Sequence, residues 1–208
     1  MLDSRGIAFH PSHKLRAVHH EARELDFEGK PAVRYDLLVA IPPHRGPHLV
    51  REAGLTNEAG WVPVDRRTLA TPRERVYAIG DVTAIPVPGR WKSDVPLMLP
   101  KAGVFAHEHA RVVAQRIAAE IPGTAGQHDF GGDGYCMLEA GEDLAGFAFG
   151  NFFAEPSPEI RLRRVGRAWH LGKVLFEQWW LTPPGPRRQA LQLALKTGAR
   201  AYGVRLAL

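Results

Sequence analysis

The chain has 208 residues, of which 45% are apolar, 9% aromatic and 24% charged. This composition is typical of a folded globular protein and excludes wholesale disorder, and the length fits one large domain or two small ones. The single cysteine excludes a disulfide within the chain, and with it a disulfide-stapled secreted scaffold. The sequence has no run of about eighteen apolar residues and no signal-peptide pattern, so we expect a cytoplasmic protein.

The net charge of +5 is unevenly distributed along the chain. Residues 160–208 contain ten Lys or Arg and one acidic residue, Glu177, for a net charge of +9. The other 159 residues contain 17 basic and 21 acidic residues, for a net charge of −4. A basic tail on an acidic body favours an acidic partner such as phosphate, nucleic acid or anionic lipid, and the alternative is a solvated basic surface. No zinc-finger, helix-turn-helix or RNA-binding aromatic signature predicts specific nucleic-acid recognition.

Short strands and tight turns are expected in the first half of the chain. The expected elements, in chain order, are strands at 14–22, 24–27 and 35–41, a short helix at 48–53, and strands at 60–65 and 75–81. The continuous apolar run at 35–41 predicts a strand covered on both faces, which ends at Pro42. The run at 75–81 predicts a second buried strand, with a glycine and a carboxylate at its carboxyl end.

A Pro-rich loop at 85–100 and then a long helix at 101–121 are predicted next. The expected buried stripe of this helix is Ala106, Ala110, Val113, Ala114, Ile117, Ala118 and Ile121. After a glycine-rich linker, the second half predicts a hairpin formed by 135–139 and 145–149, a strand at 160–165, an aromatic helix at 169–181 and a basic helix at 187–200.

The end of the predicted strand at 75–81 and the start of the following helix form the candidate binding site. The strand would deliver Asp81 to the crevice at its carboxyl end, where open α/β sheets bind ligands. A carboxylate there can accept hydrogen bonds from sugar or ribitol hydroxyls, and Gly80 would let a ligand approach the backbone. The free N–H groups of a helix that begins near Lys101 would face an electron-rich ring or an anion.

The segment from Thr71 to Asp81 resembles the second flavin-binding motif of the two-dinucleotide-binding-domain flavoproteins. That motif is a threonine, a short spacer and an apolar strand that ends in Ala-x-Gly-Asp, as Ala78-Ile-Gly-Asp81 does here. Two further stretches, Leu99-Pro-Lys-Ala-Gly-Val-Phe-Ala106 and Gly132-Asp-Gly-Tyr-Cys-Met137, are most similar to one branch of the FAD-dependent pyridine nucleotide-disulfide oxidoreductases. This branch contains the sulfide:quinone oxidoreductases and the flavocytochrome c sulfide dehydrogenases.

The resemblance implies an α/β fold, namely a partial two-dinucleotide-binding-domain (Rossmann-like) flavoprotein fold with a C-terminal β-hairpin and a helical tail. Residues 1–55 would be the end of a pyridine-nucleotide-type domain, 56–125 the C-terminal part of an FAD-binding domain, and 126–208 a C-terminal interface and tail region. The first flavin motif, G-x-G-x-x-G after an N-terminal strand, is absent. The chain therefore looks like the carboxyl-terminal half of a flavoprotein, with the other half missing, encoded elsewhere or replaced by a second copy.

FAD is the cofactor that the resemblance implies. In the family, the aspartate that matches Asp81 hydrogen-bonds the ribityl chain, and the helix start that matches Lys101, Ala102 and Gly103 lies near the pyrimidine edge of the isoalloxazine. The implied reaction is two-electron transfer from sulfide or NAD(P)H to a quinone-type acceptor. A type-II NADH:quinone dehydrogenase-like flavoprotein is one alternative. A non-catalytic fragment that binds lipid or a partner through its basic tail is another.

Cys136 is the candidate catalytic residue. In the sulfide-oxidising relatives, a cysteine in the corresponding stretch lies at the flavin and pairs with a cysteine of the other half, and sulfide attacks the resulting disulfide. A thiolate is the nucleophile that this chemistry needs, whereas the alternative is a small buried strand residue. Among the ten histidines, three close pairs could bind a metal, His19/His20, His44/His48 and His107/His109. The first and third pairs do not share a face and the second lies on a Pro-rich loop without other ligands, so no metal site is predicted.

The aromatic helix and the basic segment after it permit two interpretations. Trp179 and Trp180 beside Arg187 and Arg188 would fit an anchor at the membrane surface, where quinone reductases of this group sit. The alternative is a helix whose aromatic side chains pack in the core. We favour the core for Trp169 and Phe176, and the membrane surface for residues 187–205.

Overall fold

The structure is a computed structural model of the chain. It describes residues 2–124, 126, 128–204 and 206, and only the backbone of Trp91. These residues form two compact units, one that ends at His44 and one that begins at Arg45. Within the described part of the chain, no helix combines the length and the hydropathy needed to cross a bilayer.

The first unit contains a small antiparallel sheet. Its strands are β1 (Leu15–His19), β2 (Glu24–Phe27) and β3 (Val33–Arg34), in the order β1-β2-β3. A single 3-10 turn (Asp3–Arg5) precedes them. The strands predicted at 14–22 and 24–27 are confirmed, the first in shorter form.

The strand predicted at 35–41 is wrong. This segment pairs with no described strand, and three of its apolar side chains lie in solvent, since Leu37 is 83% exposed and Val39 and Ile41 are each 86% exposed. A strand covered on both faces needs a partner for its backbone and an apolar layer on each side. The described residues of this unit provide neither, so the apolar run stays uncovered.

The second unit begins with short elements. These are helix α1 (His48–Glu52), strand β4 (Val62–Pro63), a 3-10 turn (Gly80–Val82), strand β5 (Thr83–Ala84), and strands β6 (Pro86–Lys92) and β7 (Val95–Met98). Strand β4 pairs with β5 in parallel, and β6 pairs with β7 as an antiparallel hairpin. The Pro-rich stretch predicted as a loop at 85–100 is therefore a hairpin, with Pro86 and Pro96 paired residues of its two-stranded ladder.

The buried strand predicted at 75–81 is also wrong. Arg75 has a positive φ of 62°, and the one pairing described in this segment is an isolated bridge from Tyr77 to Ala70. The backbone then enters the 3-10 turn at Gly80 instead of continuing into a sheet. Asp81 therefore lies in a tight turn that leads into β5, and not at the end of a long strand.

Helix α2 (Gly103–Glu120) confirms the predicted long helix but buries a different face. Its buried residues are Phe105, His109, Val112 and Val113. Ile117 is 42% exposed, in the middle of the face that the sequence predicted to be covered. The larger side chains Phe105 and His109 fill the core instead of the alanine-rich stripe, because they remove more surface from water than the alanines would.

The C-terminal part is a three-stranded antiparallel sheet covered by two helices. Its elements are β8 (Asp133–Gly141), β9 (Leu144–Asn151), β10 (Glu159–Gly166), α3 (Arg167–Leu181) and α4 (Pro186–Ala201), and the strand order is β10-β9-β8. The predicted hairpin, third strand and two helices are confirmed. The hairpin turn places Glu142 and Asp143 at φ 55° and 57°, as a two-residue turn between twisted strands requires.

Two apolar clusters hold the second unit together. The first centres on Phe105 and Phe130 and joins α2 to the loops around β4 and β5. The second centres on Tyr135 and Phe147, where the sheet meets α3 and the end of the chain. The candidate site borders the first cluster, since the turn at Gly80 lies directly against α2.

Candidate functional site

Hydrogen bonds of the Gly80 backbone hold the Gly80–Val82 turn in place. The N–H of Gly80 donates to Nδ1 of His109 at 3.1 Å, and the hydroxyl of Thr83 donates to the carbonyl of Gly80 at 2.8 Å. Gly80 has a φ of +68°, and a Cβ there would lie 3.1 Å from the Cβ of Ala106. The glycine is thus required by the turn and by close packing on α2, a reason that the sequence interpretation did not include.

Lys101 joins the turn to the residues before α2. Its ammonium donates to the carbonyl oxygen of Asp81 and, at 3.2 Å, to that of Thr83. The same ammonium lies 3.6 Å from the centre of the Trp61 ring. Burial lowers the pKa of Lys101, and the charge of Asp81 opposes that shift. The structure therefore brings Asp81 and Lys101 together, but through the main chain and not through an ion pair.

The start of α2 presents free backbone donors beside this turn. Ala102 precedes the helix in an extended conformation, and no side chain caps the first turn. The first intrahelical bonds run from the N–H groups of Phe105 and Ala106 to the carbonyl of Ala102. A Cβ added to Gly103 would meet nothing within 4 Å, so there is open space at this helix end. An uncapped helix start attracts anionic or carbonyl oxygen atoms.

Thr71, the first residue of the flavin-like motif, closes the loop before the turn. Its side chain is buried, and its hydroxyl bonds to the carbonyl of Val76 at 2.9 Å and to the N–H of Arg73 at 3.2 Å. A threonine hydroxyl can do both because it donates and accepts. The loop shape that leads to Gly80 thus depends on this side chain.

His109 is the site residue that sequence reasoning missed. Its side chain is 1% exposed, and burial lowers its pKa from 6.5 to about 4, an effect that Glu108 and Asp81 oppose. The available signal was its spacing of four residues from Phe105, which places both on one helix face. Trp61 was missed as well, since nothing in its sequence context indicates contact with a lysine 40 positions later.

Cys136 lies on a different element from the turn. It is a mid-strand residue of β8, opposite Ala148, and its side chain is exposed. Since strand residues alternate between faces, Tyr135 and Met137 pack toward the helices while Cys136 faces the other side of the sheet. Leu162, which pairs with Ala148 from the other edge, is 71% exposed. The alternative of a small buried strand residue is therefore wrong for Cys136.

The aromatic residues of α3 divide between core and surface. Trp169 stacks on Phe147 with ring centres 4.8 Å apart, as the core interpretation of Trp169 predicted. Trp179 is only 2% exposed, with the guanidinium of Arg188 4.9 Å from the centre of its ring, so the interpretation of Trp179 as a membrane-surface anchor is wrong. Trp180 is 42% exposed and remains on the surface.

An apolar cavity of about 200 Å³ lies between the sheet and the two C-terminal helices. Its lining includes Met137, Phe147, Trp169, Leu175, Leu195 and Tyr202. The carbonyl of Tyr202 accepts a hydrogen bond from Arg163 at 3.1 Å, so a guanidinium lies next to the cavity lining. Such a space suits a flat or chain-like apolar group.

The chain is similar to known proteins in both sequence and fold, although no protein-family model matches it. It is 31% identical over 147 residues to the sulfide-quinone reductase of Aquifex aeolicus (strain VF5), which covers 68% of this chain and 33% of that protein. It is 30% identical over 93 residues to the mitochondrial sulfide:quinone oxidoreductase of Mus musculus, which covers 41% of this chain and 21% of that protein. Its fold matches the crystal structure of the Aquifex aeolicus sulfide:quinone oxidoreductase with a TM-score of 0.72 at 23% identity, over 97% of this chain and 45% of that one.

The structural match defines the class of protein: an α/β chain with part of a flavoprotein-type fold, a C-terminal hairpin and a helical tail, as predicted. The sequence match is more specific, and the chain is homologous to the sulfide:quinone oxidoreductases. The family resemblance predicted from the sequence is confirmed. The chain spans about a fifth to a third of the length of the curated relatives that it matches.

Proposed function

We propose that this chain provides the carboxyl-terminal part of the flavin site of an FAD-dependent oxidoreductase that transfers two electrons from sulfide to a quinone-type acceptor. One observation carries the proposal: in a homologue of the sulfide:quinone oxidoreductases, the turn that bears Asp81 is tied to the uncapped start of α2 by Lys101. The matched relatives are named for sulfide, and for that reason we propose sulfide rather than NAD(P)H as the donor.

The residues present fit part of an FAD molecule. The carboxylate of Asp81 is exposed, and can accept hydrogen bonds from the hydroxyls of a ribityl chain. The free N–H groups at Ala102 and Gly103 suit a carbonyl-rich ring edge, and the positive helix end would stabilise negative charge there. Lys101 is engaged with two carbonyls and acts by fixing the turn. When bound, FAD would supply a two-electron acceptor.

Cys136 would provide one sulfur atom of a reactive disulfide. Its thiol is exposed on the sheet face away from the helices, where a sulfide ion can reach it. Sulfide attack on that disulfide would form a new S–S bond as a persulfide on one cysteine, break the original S–S bond and release the other sulfur as a thiolate. Re-formation of an S–S bond between these sulfur atoms would release two electrons, for which bound FAD would supply the acceptor. The 208 residues contain one cysteine, so the second sulfur must come from another chain or another part of the enzyme.

The C-terminal helices would place the site at a membrane surface, where quinones dissolve. Leu171, Leu181 and Leu193 are 59%, 78% and 66% exposed, and α4 begins with the pair Arg187 and Arg188. Exposed leucines beside arginines favour contact with an anionic interface. The apolar cavity next to α3 and α4 would accept the apolar part of the quinone.

Flavin binding tests the cofactor part of the proposal. The purified chain is titrated with FAD, and binding is followed by flavin absorption and fluorescence. Asp81→Asn should weaken binding at least roughly tenfold, because a charged acceptor is lost. Asp94→Asn, in the exposed turn between β6 and β7, is the matched control and should bind like the wild type. Equal FAD binding by Asp81→Asn and the wild type contradicts the proposal.

Sulfide-dependent reduction of a soluble quinone analogue tests the chemistry. The assay uses the flavin-loaded chain together with the chain or segment that completes the enzyme, which supplies the second sulfur of the disulfide. Cys136→Ser should abolish sulfide oxidation and leave the flavin spectrum intact, since serine keeps the size of the side chain but not the sulfur. Unchanged sulfide turnover in the serine variant overturns the role of Cys136.

A further inference from the structure

A buried histidine holds the Gly80–Val82 turn from the side of α2. His109 accepts the N–H of Gly80 at Nδ1, and its ring meets Phe130 edge to face with centres 4.5 Å apart. It belongs to no part of the flavin-like motif, and its pair with His107 does not form a ligand set. Its contact with Gly80 nevertheless joins two segments 29 positions apart at the residue next to Asp81.

The hydrogen bond fixes the protonation state of this ring. Because the Gly80 N–H donates to Nδ1, the ring must be neutral with its proton on Nε2. Among the residues that the structure describes, none accepts a hydrogen bond from the buried Nε2. An unpaired buried donor is unfavourable, and a phenylalanine would fill the same apolar space without one. The one favourable polar contact of the ring is therefore its bond to Gly80.

We propose that His109 is a positioning residue for the flavin: its neutral ring holds the Gly80–Asp81 turn in the conformation that presents the Asp81 carboxylate to the ribityl hydroxyls. The inference rests on the proposed FAD site and deepens it. Protonation of Nδ1 would place a second donor against the Gly80 N–H and release the turn. His109 would thus make flavin retention sensitive to acid.

Burial and the charged groups around His109 determine the pH at which its ring is protonated. Burial lowers its pKa to about 4, while Glu108 on the same helix and Asp81 in the turn act in the opposite direction. On the segment of Phe130, Asp129 is paired with Arg116 of α2 at 3.3 Å. Above the pKa of His109 the ring is neutral and the turn is held. As the pH falls through about 4, the ring is protonated and the contact is lost.

The first experiment needs no cofactor and compares two variants by NMR. In His109→Asn, the side-chain oxygen can replace Nδ1 as the acceptor, whereas His109→Phe fills the space without an acceptor. The ring nitrogen shifts of the wild type should report a neutral ring with the proton on Nε2. The Gly80 amide should exchange with solvent roughly tenfold faster in His109→Phe than in the wild type or in His109→Asn. Equal exchange in all three overturns the positioning role.

The second experiment measures FAD affinity between pH 7 and pH 3. At pH 7, His109→Asn should bind within about threefold of the wild type and His109→Phe roughly tenfold more weakly. On acidification the wild type should lose affinity more steeply than His109→Asn, and since Asp81 is present in both, the difference isolates the imidazole. Equal affinity in wild type and His109→Phe overturns the inference. If Asp81→Asn binds FAD as tightly as the wild type, the proposed function fails, and the Gly80 amide alone decides whether His109 holds the turn.

Discussion

Two apolar segments of this chain are both predicted from the sequence to form strands, but only one of them does so in the structure. The run at 35–41 is largely exposed and pairs with no described strand, whereas the runs that become β8 and β9 form a ladder of eight paired positions. Residues that favour strands are no rarer in the run at 35–41, which contains Tyr, Val and Ile, than in β8, which contains one Tyr, or in β9, which contains two Phe. The difference lies in the elements that come next along the chain in each case.

Strand β8 has its partner two residues away, across the turn at Glu142 and Asp143. Its backbone is therefore paired at once, and α3 covers Tyr135 and Phe147. The run at 35–41 ends in Pro42 and Pro43, and the next described element along the chain is the helix α1. An apolar run forms a buried strand only when the chain also supplies its neighbours.

The largest expected contrast is between core truncations in the two segments. Phe147→Ala should lower the free energy of unfolding by about 3–5 kcal/mol, because the ring stacks on Trp169 and is 2% exposed. Leu37→Ala should change it by less than about 0.5 kcal/mol, because that side chain is already in water. Urea denaturation of both variants measures the two values. A cost for Leu37→Ala that approaches the cost for Phe147→Ala would show that residues 35–41 are packed in solution.

A second contrast tests how closely the sheet of the covered region is packed. A Cβ at Gly150 would lie 1.8 Å from the carbonyl oxygen of Glu159 on β10, so Gly150→Ala should cost about 1–3 kcal/mol. A Cβ at Gly172 in α3 would meet nothing within 4 Å, and Gly172→Ala should stabilise the helix by about 0.5–1 kcal/mol. Thermal denaturation of the two single variants should show shifts of opposite sign. A Gly150→Ala variant that is as stable as the wild type or more stable would mean that β9 and β10 are not in close contact.

Sequence reasoning was reliable where neighbouring elements decide the structure. The hairpin of β8 and β9, the strand β10 and the helices α2, α3 and α4 are all predictable from local periodicity and turn residues. It failed at 35–41 and 75–81, where burial depends on partners distant in sequence. It also chose the wrong face of α2, because a count of apolar residues gave the alanines the same weight as Phe105 and ignored His109.

The candidate site also has a part that could be predicted from neighbouring residues and a part that depends on residues distant in sequence. The motif around Gly80 and Asp81 could be found from residue order alone, since its spacing resembles a known flavin motif. The contacts that hold the motif in place could not, because His109 binds Gly80 from 29 positions later and Lys101 binds the Asp81 carbonyl from 20 positions later. Whether Gly80, Asp81, Lys101, Ala102, Gly103 and Cys136 bind or react as predicted is decided by FAD titration and by sulfide turnover.

A third prediction concerns the loop that precedes residues 75–81, the segment that was wrongly predicted to be a strand. Side-chain hydrogen bonds, and not sheet pairing, hold this loop in place. One oxygen of Asp65 accepts from the N–H groups of Arg67 and Thr68 at 3.0 Å and 2.7 Å. The bond from the Thr68 N–H lowers the pKa of Asp65 below 3.8. The stability that this carboxylate contributes is present above pH 3.8 and is lost as the pH falls through its lower folded pKa.

Asp65→Ala should therefore cost about 1 kcal/mol at pH 7, and the cost should shrink below pH 3.8. Asp36→Ala, an exposed residue of the uncovered segment, is the matched control and should change stability by less than about 0.5 kcal/mol. Denaturation midpoints of the three proteins at several pH values give both quantities. A penalty for Asp65→Ala that stays constant into acid would exclude the carboxylate as its source.

The smallest effect on the free energy of unfolding is expected for Val39→Lys, which should nevertheless clearly reduce self-association of the chain. Val39 is 86% exposed, so Val39→Lys should leave the free energy of unfolding within about 0.5 kcal/mol of the wild type. An exposed apolar run is, however, a surface on which another strand can pair, and a lysine opposes such pairing. Light scattering over a concentration series should show self-association of the wild type that Val39→Lys reduces, with Lys30→Ala as a control that leaves the run intact. If Val39→Lys unfolds the chain instead, the run is buried in solution and the contrast with β8 and β9 disappears.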